Sequence, residues 1–220
     1  MDLTSRLSQK NNISKQRLCY ILPEYRVRAT THFAYLFDFI AKAARDIDVT
    51  LLIERGETPK TSEAFSSLVV LFFQQSPLRF LELLLYIIKI RIGGTKDFYV
   101  HYSFGAAFIA ALVVRLLGGR VFYWNCGEPW KYKRSWGRNG FERSVYHLIT
   151  FLVTGTESLK RKYSEVYKIP LKKIKVLPNW ISLNEFKGDK NEGAVLKERL
   201  GIPPKGRVVL FIHRLSQRKG

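Results

Sequence analysis

Arg214 and Lys219 stand five residues apart in a turn that follows the apolar run Val208 to Ile212. A buried strand that opens into such a turn can grip a diphosphate, the Arg as a fork and the Lys as a point charge. The same spacing also suits a solvated basic loop. A second constellation is Trp124-Asn-Cys-Gly-Glu-Pro-Trp-Lys-Tyr-Lys-Arg-Ser-Trp136. Here Glu128 could accept hydrogen bonds from sugar hydroxyls or act as a base, which makes it a weak catalytic candidate. Trp130 and Trp136 could stack on a sugar or an acyl chain. The competing reading is a loop packed by its aromatics, with Glu128 neutralised by Lys131 or Arg134. His32, beside Thr30 and Thr31, either contacts an acceptor or caps the helix after it. Cys126 has no partner base nearby to make it a nucleophile, and His101 and His147 read as structural. Four scattered histidines and no acidic cluster argue against a built-in metal site.

The elements that must position these residues alternate in type. Arg17-Leu-Cys-Tyr-Ile-Leu-Pro23 suits a central strand. A loop from Glu24 to His32 leads to a helix from about Thr31 to Arg45, with Phe33, Leu36, Phe37, Ile40 and Ala44 as its stripe. Asp48 to Glu54 is the next strand, so the unit is strand, helix, strand. Helical material is expected between about Thr61 and Gln74. Leu78 to Ile92 is apolar nearly all round, which fits a buried helix or one on a lipid surface. Strands follow at Phe98 to Tyr102, Arg120 to Asn125, Leu148 to Val153 and Lys173 to Pro178. Helices are expected over Gly105 to Leu117 and about Thr156 to Tyr167, the latter burying Leu159, Tyr163, Val166 and Tyr167. Continuous apolar strands alternating with helices imply an α/β, Rossmann-like parallel sheet covered on both faces. Ligands then belong at the carboxyl ends of the strands.

Composition narrows the partners. With 46% hydrophobic residues the chain can bury a real core, and a net charge of +19 calls for a polyanionic partner. Between Glu128 and Lys175 twelve Lys or Arg face four Glu. Lys131, Lys133, Arg134, Arg138 and Arg143 are interleaved with aromatics, which suits an anionic membrane surface. No nucleic-acid-binding signature accompanies them, so nucleic acid is not expected. The polar amino terminus, Met1 to Lys15, shows no signal peptide, and Cys19 and Cys126 fit a reducing compartment. Residues 68–90 and 98–119 are too interrupted by polar groups to span a bilayer.

Taken together, the motifs resemble glycosyltransferase family 4, whose members have a GT-B fold of two Rossmann-like domains. Val153-Thr-Gly-Thr-Glu-Ser-Leu-Lys160 followed by Ile174-Lys-Val-Leu-Pro-Asn-Trp-Ile-Ser-Leu-Asn-Glu-Phe186 is similar to the family's T-x-S-x-S-L and I-x-V-I-P-N-G-V-D-x-x-x-F run. Val208 to Gly220 is similar to its G-R-L-x-x-x-K-G donor motif. The likeness implies that residues 1–186 form the acceptor-binding domain and 187–205 a linker, with 206–220 beginning a truncated nucleotide-sugar domain. It implies that Arg214 and Lys219 bind the donor diphosphate and that His32 faces the acceptor, to which the loop reading adds Glu128 and Trp130 as acceptor-binding residues. The activity implied is transfer from a nucleotide-sugar to a lipid-linked or cell-envelope glycan, with retention, without metal or other cofactor, at the cytoplasmic face of a membrane. Trp180 replaces the Gly usual after Pro-Asn, and His213 the Gly before the donor Arg. Asn125 to Glu128 stand where many members carry a catalytic-cleft His. The family's acidic donor-sugar motif is absent, so this chain alone is expected to be inactive. The alternative reading is a non-catalytic Rossmann-like module that holds an anionic membrane surface or another polyanion.

Overall fold

The computed structural model describes residues 15–26, 33–60, 62–133, 135–178 and 190–209. The chain divides into two compact units, Met1–Trp180 and Ile181–Gly220. His32, Arg134, Arg214 and Lys219 lie outside the described residues.

In the first unit the apolar runs become a seven-stranded parallel sheet. Its strands are β1 (Arg17–Leu22), β2 (Asp48–Ile53), β3 (Ser67–Val70), β4 (Asp97–His101), β5 (Arg120–Trp124), β6 (Phe151–Thr154) and β7 (Ile174–Val176). Their order across the sheet is β3-β2-β1-β4-β5-β6-β7. The expected α/β Rossmann-like class is therefore what the chain adopts. Winding reverses between β1 and β4, and a crevice for ligand opens at such a reversal, beyond the carboxyl ends of the strands.

The helices are α1 (Phe33–Ala43), α2 (Leu78–Ile92), α3 (Phe104–Leu117), α4 (Trp136–Leu148) and α5 (Glu157–Tyr167). Tyr20, Leu22, Val49, Leu51 and Ile53 meet Phe37 and Ile40 of α1 on one face. The opposite face carries the larger core, where Cys19, Ile21, Phe98 and Val100 meet Leu83, Ile87, Ala107 and Ala110. This in–out alternation along β1 is the period of two that a strand imposes. Three helices begin on side-chain caps: Ser103, Ser135 and Thr156 accept from the backbone N–H groups of Ala106, Arg138 and Leu159. At Gly105 a Cβ would lie 2.6 Å from the Phe80 ring, so the missing side chain lets α2 and α3 approach closely.

Three expectations need correction, and a fourth is refined. Residues 62–74 form no α-helix: a single 3-10 turn at Ser62–Ala64 precedes β3. The run Leu68-Val-Val-Leu71 follows β2 in register, Thr50 opposite Ser67, and a short apolar run takes its type from such a partner. Leu148 closes α4 rather than opening a strand, and β6 starts at Phe151. Val166 is exposed on α5, where Tyr163 and Tyr167 alone are fully inward. The fourth, α2, is apolar on two sides as read, but the fold covers only one: Leu83 and Ile87 are buried while Leu78, Leu81, Leu85 and Ile92 are exposed.

In the second unit α6 spans Lys190–Arg199, longer than the stretch expected around Ala194 to Leu200. The Lys197 ammonium donates to the carbonyls of Pro204 and Gly206, which holds the chain after the helix. Val208 and Val209 are exposed and lie in no regular element. The remainder of the expected donor strand lies outside the described residues. No helix among the described residues is long and apolar enough to cross a membrane.

Candidate functional site at the carboxyl edge of the sheet

The crevice edge is built by the residues at which β1, β2, β4 and β5 end. His101 closes β4 and lies opposite Trp124 of β5. Their rings stack at 4.2 Å and 13°. The His101 Nδ1 is 3.1 Å from the Tyr20 hydroxyl, a bond that ties β4 to β1 across the reversal point. His101 is buried, and its Nδ1 contact and its stack on Trp124 fix it between the strands. Tyr102 then takes a left-handed backbone conformation, φ 56°, which turns the chain into the cap of α3. Its hydroxyl lies 2.8 Å from the Cys126 sulfur. Burial pushes the Cys126 thiol above its usual range, although the Tyr102 hydroxyl pulls it back. A thiol so held stays protonated and makes a poor nucleophile.

Beyond β5 the loop is shaped by hydrogen bonds. The Asn125 amide nitrogen donates to the Tyr146 hydroxyl at 3.2 Å, and its oxygen accepts from the Gly127 N–H at 2.9 Å. The Tyr163 hydroxyl donates to the Gly127 carbonyl at 2.9 Å. Gly127 is thus fixed from both sides, and Glu128 follows it into a 3-10 turn over Pro129–Lys131. The Glu128 carboxylate sits 2.7 Å from the Lys131 ammonium, with both side chains substantially exposed. Trp130 meets the Tyr163 ring edge-to-face at 5.0 Å. Glu128, Trp130, Lys131, Ser158, Arg161 and Lys162 line an open groove of about 530 Å³ between this turn and α5. The structure therefore brings together Glu128 and Trp130, two of the residues singled out for the acceptor. Of the two readings of the loop, both keep support: Lys131 does neutralise Glu128, and the pair still opens onto a groove. Trp136 stands apart, 92% exposed at the start of α4.

Two groups at this edge were not singled out from the sequence. Glu54, directly after β2, is buried and 3.7 Å from the Arg79 guanidinium. Burial raises its carboxyl above the usual range, against the pull of the Ser103 hydroxyl and of Arg79. The only signal for it in the sequence is an acid ending an apolar strand. Tyr102 is the other, and its role comes from the turn it occupies rather than from any spacing.

The groove can accept hydroxyl hydrogen bonds at Glu128 and Glu165 and offer cations at Lys131, Arg161 and Lys162, of which Lys131 and Lys162 pair with those two acids. That is a polar, sugar-compatible lining rather than a closed apolar pocket.

The fold has clear counterparts among solved structures, at identities that show the fold alone. The Anabaena protein Alr3699/HepE in complex with UDP and glucose superposes with a TM-score of 0.61 at 12% identity, over 84% of this chain and 50% of that one. A glycosyltransferase from Rickettsia africae gives 0.61 at 14% identity, over 86% and 50%. The UDP-GlcNAc 2-epimerase of Methanocaldococcus jannaschii gives 0.50 at 19%, over 74% and 46%. The chain thus spans about half the length of the structures it matches and has the architecture of one half of a GT-B glycosyltransferase fold. No protein-family model and no curated protein matches the sequence.

Proposed function

We propose that this chain is the acceptor-side half of a nucleotide-sugar glycosyltransferase of the family 4 type. The observation that carries the reading is the match of its sheet to one half of a GT-B fold, in structures that include a complex with UDP and glucose. On this reading the acceptor glycan, lipid-linked or part of the cell envelope, enters the crevice beside β1 and β4 and reaches the Glu128–Trp130 groove. Glu128 orients an acceptor hydroxyl, and Trp130 limits the groove by its packing on α5. Arg214 and Lys219, from the donor side, neutralise the departing diphosphate in place of a metal, and the sugar is transferred with retention. Cations aimed at a developing charge are the strongest contribution such a site can make. The exposed Lys131, Lys133, Arg138 and Arg143 hold the enzyme at the cytoplasmic surface of an anionic membrane.

The test is sugar transfer from UDP-, GDP- and ADP-sugars by the complete protein encoded with this chain, supplied with lipid-linked acceptors. Transfer with one donor is expected, insensitive to EDTA, and Arg214→Ala or Lys219→Ala should lower kcat/KM by on the order of 100-fold. Failure to consume any donor would overturn the reading in favour of a non-catalytic module. The likeness to a UDP-GlcNAc 2-epimerase favours a second reading, in which the donor isomerises without an acceptor. Product analysis of a reaction lacking acceptor separates the two.

A further inference from the structure

We infer that the outward side of α2 and the Phe72-Phe73 loop before it form a membrane-docking face that seats in an anionic lipid surface. For its purpose this rests on the glycosyltransferase reading above; for its location it rests on the geometry alone. Leu78, Leu81, Leu85 and Ile92 recur at helical spacing on one side of α2, and all are exposed, Ile92 to 75%. Leu83 and Ile87 on the opposite side are fully buried. The helix is therefore apolar on two sides, only one of which the fold covers. Lys89 shares the outward stripe, where a long stem lets its ammonium reach headgroups while the methylenes stay among apolar groups. On the packed neighbour α3, Leu112 and Leu116 are exposed as well.

The loop at the head of α2 is built to present aromatic rings. Phe72 is 84% exposed, and its ring meets that of Phe73 edge-to-face at 5.1 Å. Both of their backbone N–H groups donate to one carboxylate, that of Glu82, at 2.8 and 2.9 Å. Gln74 exchanges two hydrogen bonds with the Gly56 backbone, and its own carbonyl accepts from Arg79. A loop held at so many points is not exposing its two phenylalanines through looseness. Aromatic tips beside an apolar stripe match the interfacial zone of a bilayer.

Charge decides the occupant. Between residues 72 and 117 the acids are Glu82 and Asp97, and both are engaged: Glu82 by the loop, Asp97 by Arg120 and Gln16. Lys89, Lys96 and Arg115 remain exposed around the apolar band. At the foot of α2, Lys15, Arg17, Lys96 and Arg120 line a groove of about 690 Å³; Asp97 lies in it, and Asp48 stands 3.5 Å from Arg17, so the cations outnumber the acids. A second copy seated on this face by two-fold symmetry would bring these cations against themselves. Anionic headgroups complement them instead. With about 22 Å of length, α2 lies along the surface rather than through it.

The experiment is flotation of the full chain with vesicles of phosphatidylcholine alone and with about one third phosphatidylglycerol. Binding to the anionic vesicles is expected, and Phe72→Ser/Phe73→Ser and Leu81→Gln/Leu85→Gln should each weaken it at least about tenfold. Because about half or more of most of these side chains is exposed, both variants should stay folded, with thermal unfolding only slightly below the parent's. As a readout that removes no apolar group, Phe72→Trp should add fluorescence that brominated lipid quenches. Binding unchanged in both double variants, or an unquenched Trp at position 72, overturns the inference. So does a parent chain that ignores vesicles and forms a dimer dissolved by Leu81→Gln/Leu85→Gln. Vesicle binding and donor consumption are read independently, so a failure of either leaves the other result standing.

Discussion

The carboxyl edge of the sheet holds two aromatic clusters that are put to opposite ends. Around His101 the rings of Tyr20, Tyr102 and Trp124 close on one another, the Tyr20 hydroxyl meets His101 Nδ1, and the Tyr102 hydroxyl meets the Cys126 sulfur. Around Glu128 the ring of Trp130 packs inward on Tyr163, but the carboxylate and its Lys131 partner face solvent. The first cluster fixes where β1, β4 and β5 end. The second hangs on that frame by Gly127 and keeps its charges available. A buried network raises rigidity because any unpaired member is costly, whereas an exposed ion pair costs little to break. The pair can therefore exchange partners with a ligand without disturbing what positions it.

The sharpest way to break this contrast is to truncate one ring on each side. Trp124→Ala should lower unfolding stability by about 3–5 kcal/mol, as a large buried aromatic does on removal. Trp130→Ala, only half-buried, should lower it by about 2 kcal/mol. Denaturant midpoints at constant slope would measure both, and equal losses would erase the distinction.

Next in size is the buried pair beside the first cluster. Arg79→Met leaves the Glu54 carboxylate without its cation, at a cost of about 3 kcal/mol near neutral pH. The pH dependence follows from the raised carboxyl. The folded chain holds the Glu54 proton at pH values where the unfolded chain has released it. Stability from this group is full below the ordinary Glu range and is lost as pH rises through the raised value. Arg79→Met should steepen that loss, and Glu54→Gln added to it should flatten the profile. A profile that Arg79→Met leaves unaltered would remove Glu54 from the buried set.

The smallest effect is expected at the open cluster. Lys131→Gln should change stability by less than about 0.5 kcal/mol, because both partners are exposed. A loss several times larger in thermal unfolding would mean that the ion pair is structural, and the groove would lose its claim to be the exchangeable region.

Much of this organisation is legible in the sequence, for a physical reason. Strands covered on both faces read as unbroken apolar runs, so β1, β2, β4 and β5 stand out, and their carboxyl ends follow. The edge strand β3 does not, because Leu68 to Phe73 is equally apolar for helix or strand until β2 supplies a partner. Helix α4 is hidden too: Gly137 and Gly140 interrupt it, and its inward residues are Glu142, Val145 and Tyr146. Glu128 and Trp130 are singled out by type and by their place after a strand. The bond between Tyr20 and His101 is not, since no local pattern connects residues so far apart.

That distance has a kinetic side. The bond joins residues 81 apart, and β1 pairs with β4 along Leu18↔Asp97 to Ile21↔Val100. During synthesis at roughly 5–20 residues per second, β1 waits several seconds for its central neighbour to be made. In that interval Cys19 and Ile21 have only β2 and β3 nearby, and one edge of β1 offers unpaired amides to any passing strand. The seam on which the crevice is built thus joins the two neighbouring strands farthest apart in sequence, and it stays open to misassembly until β4 is made.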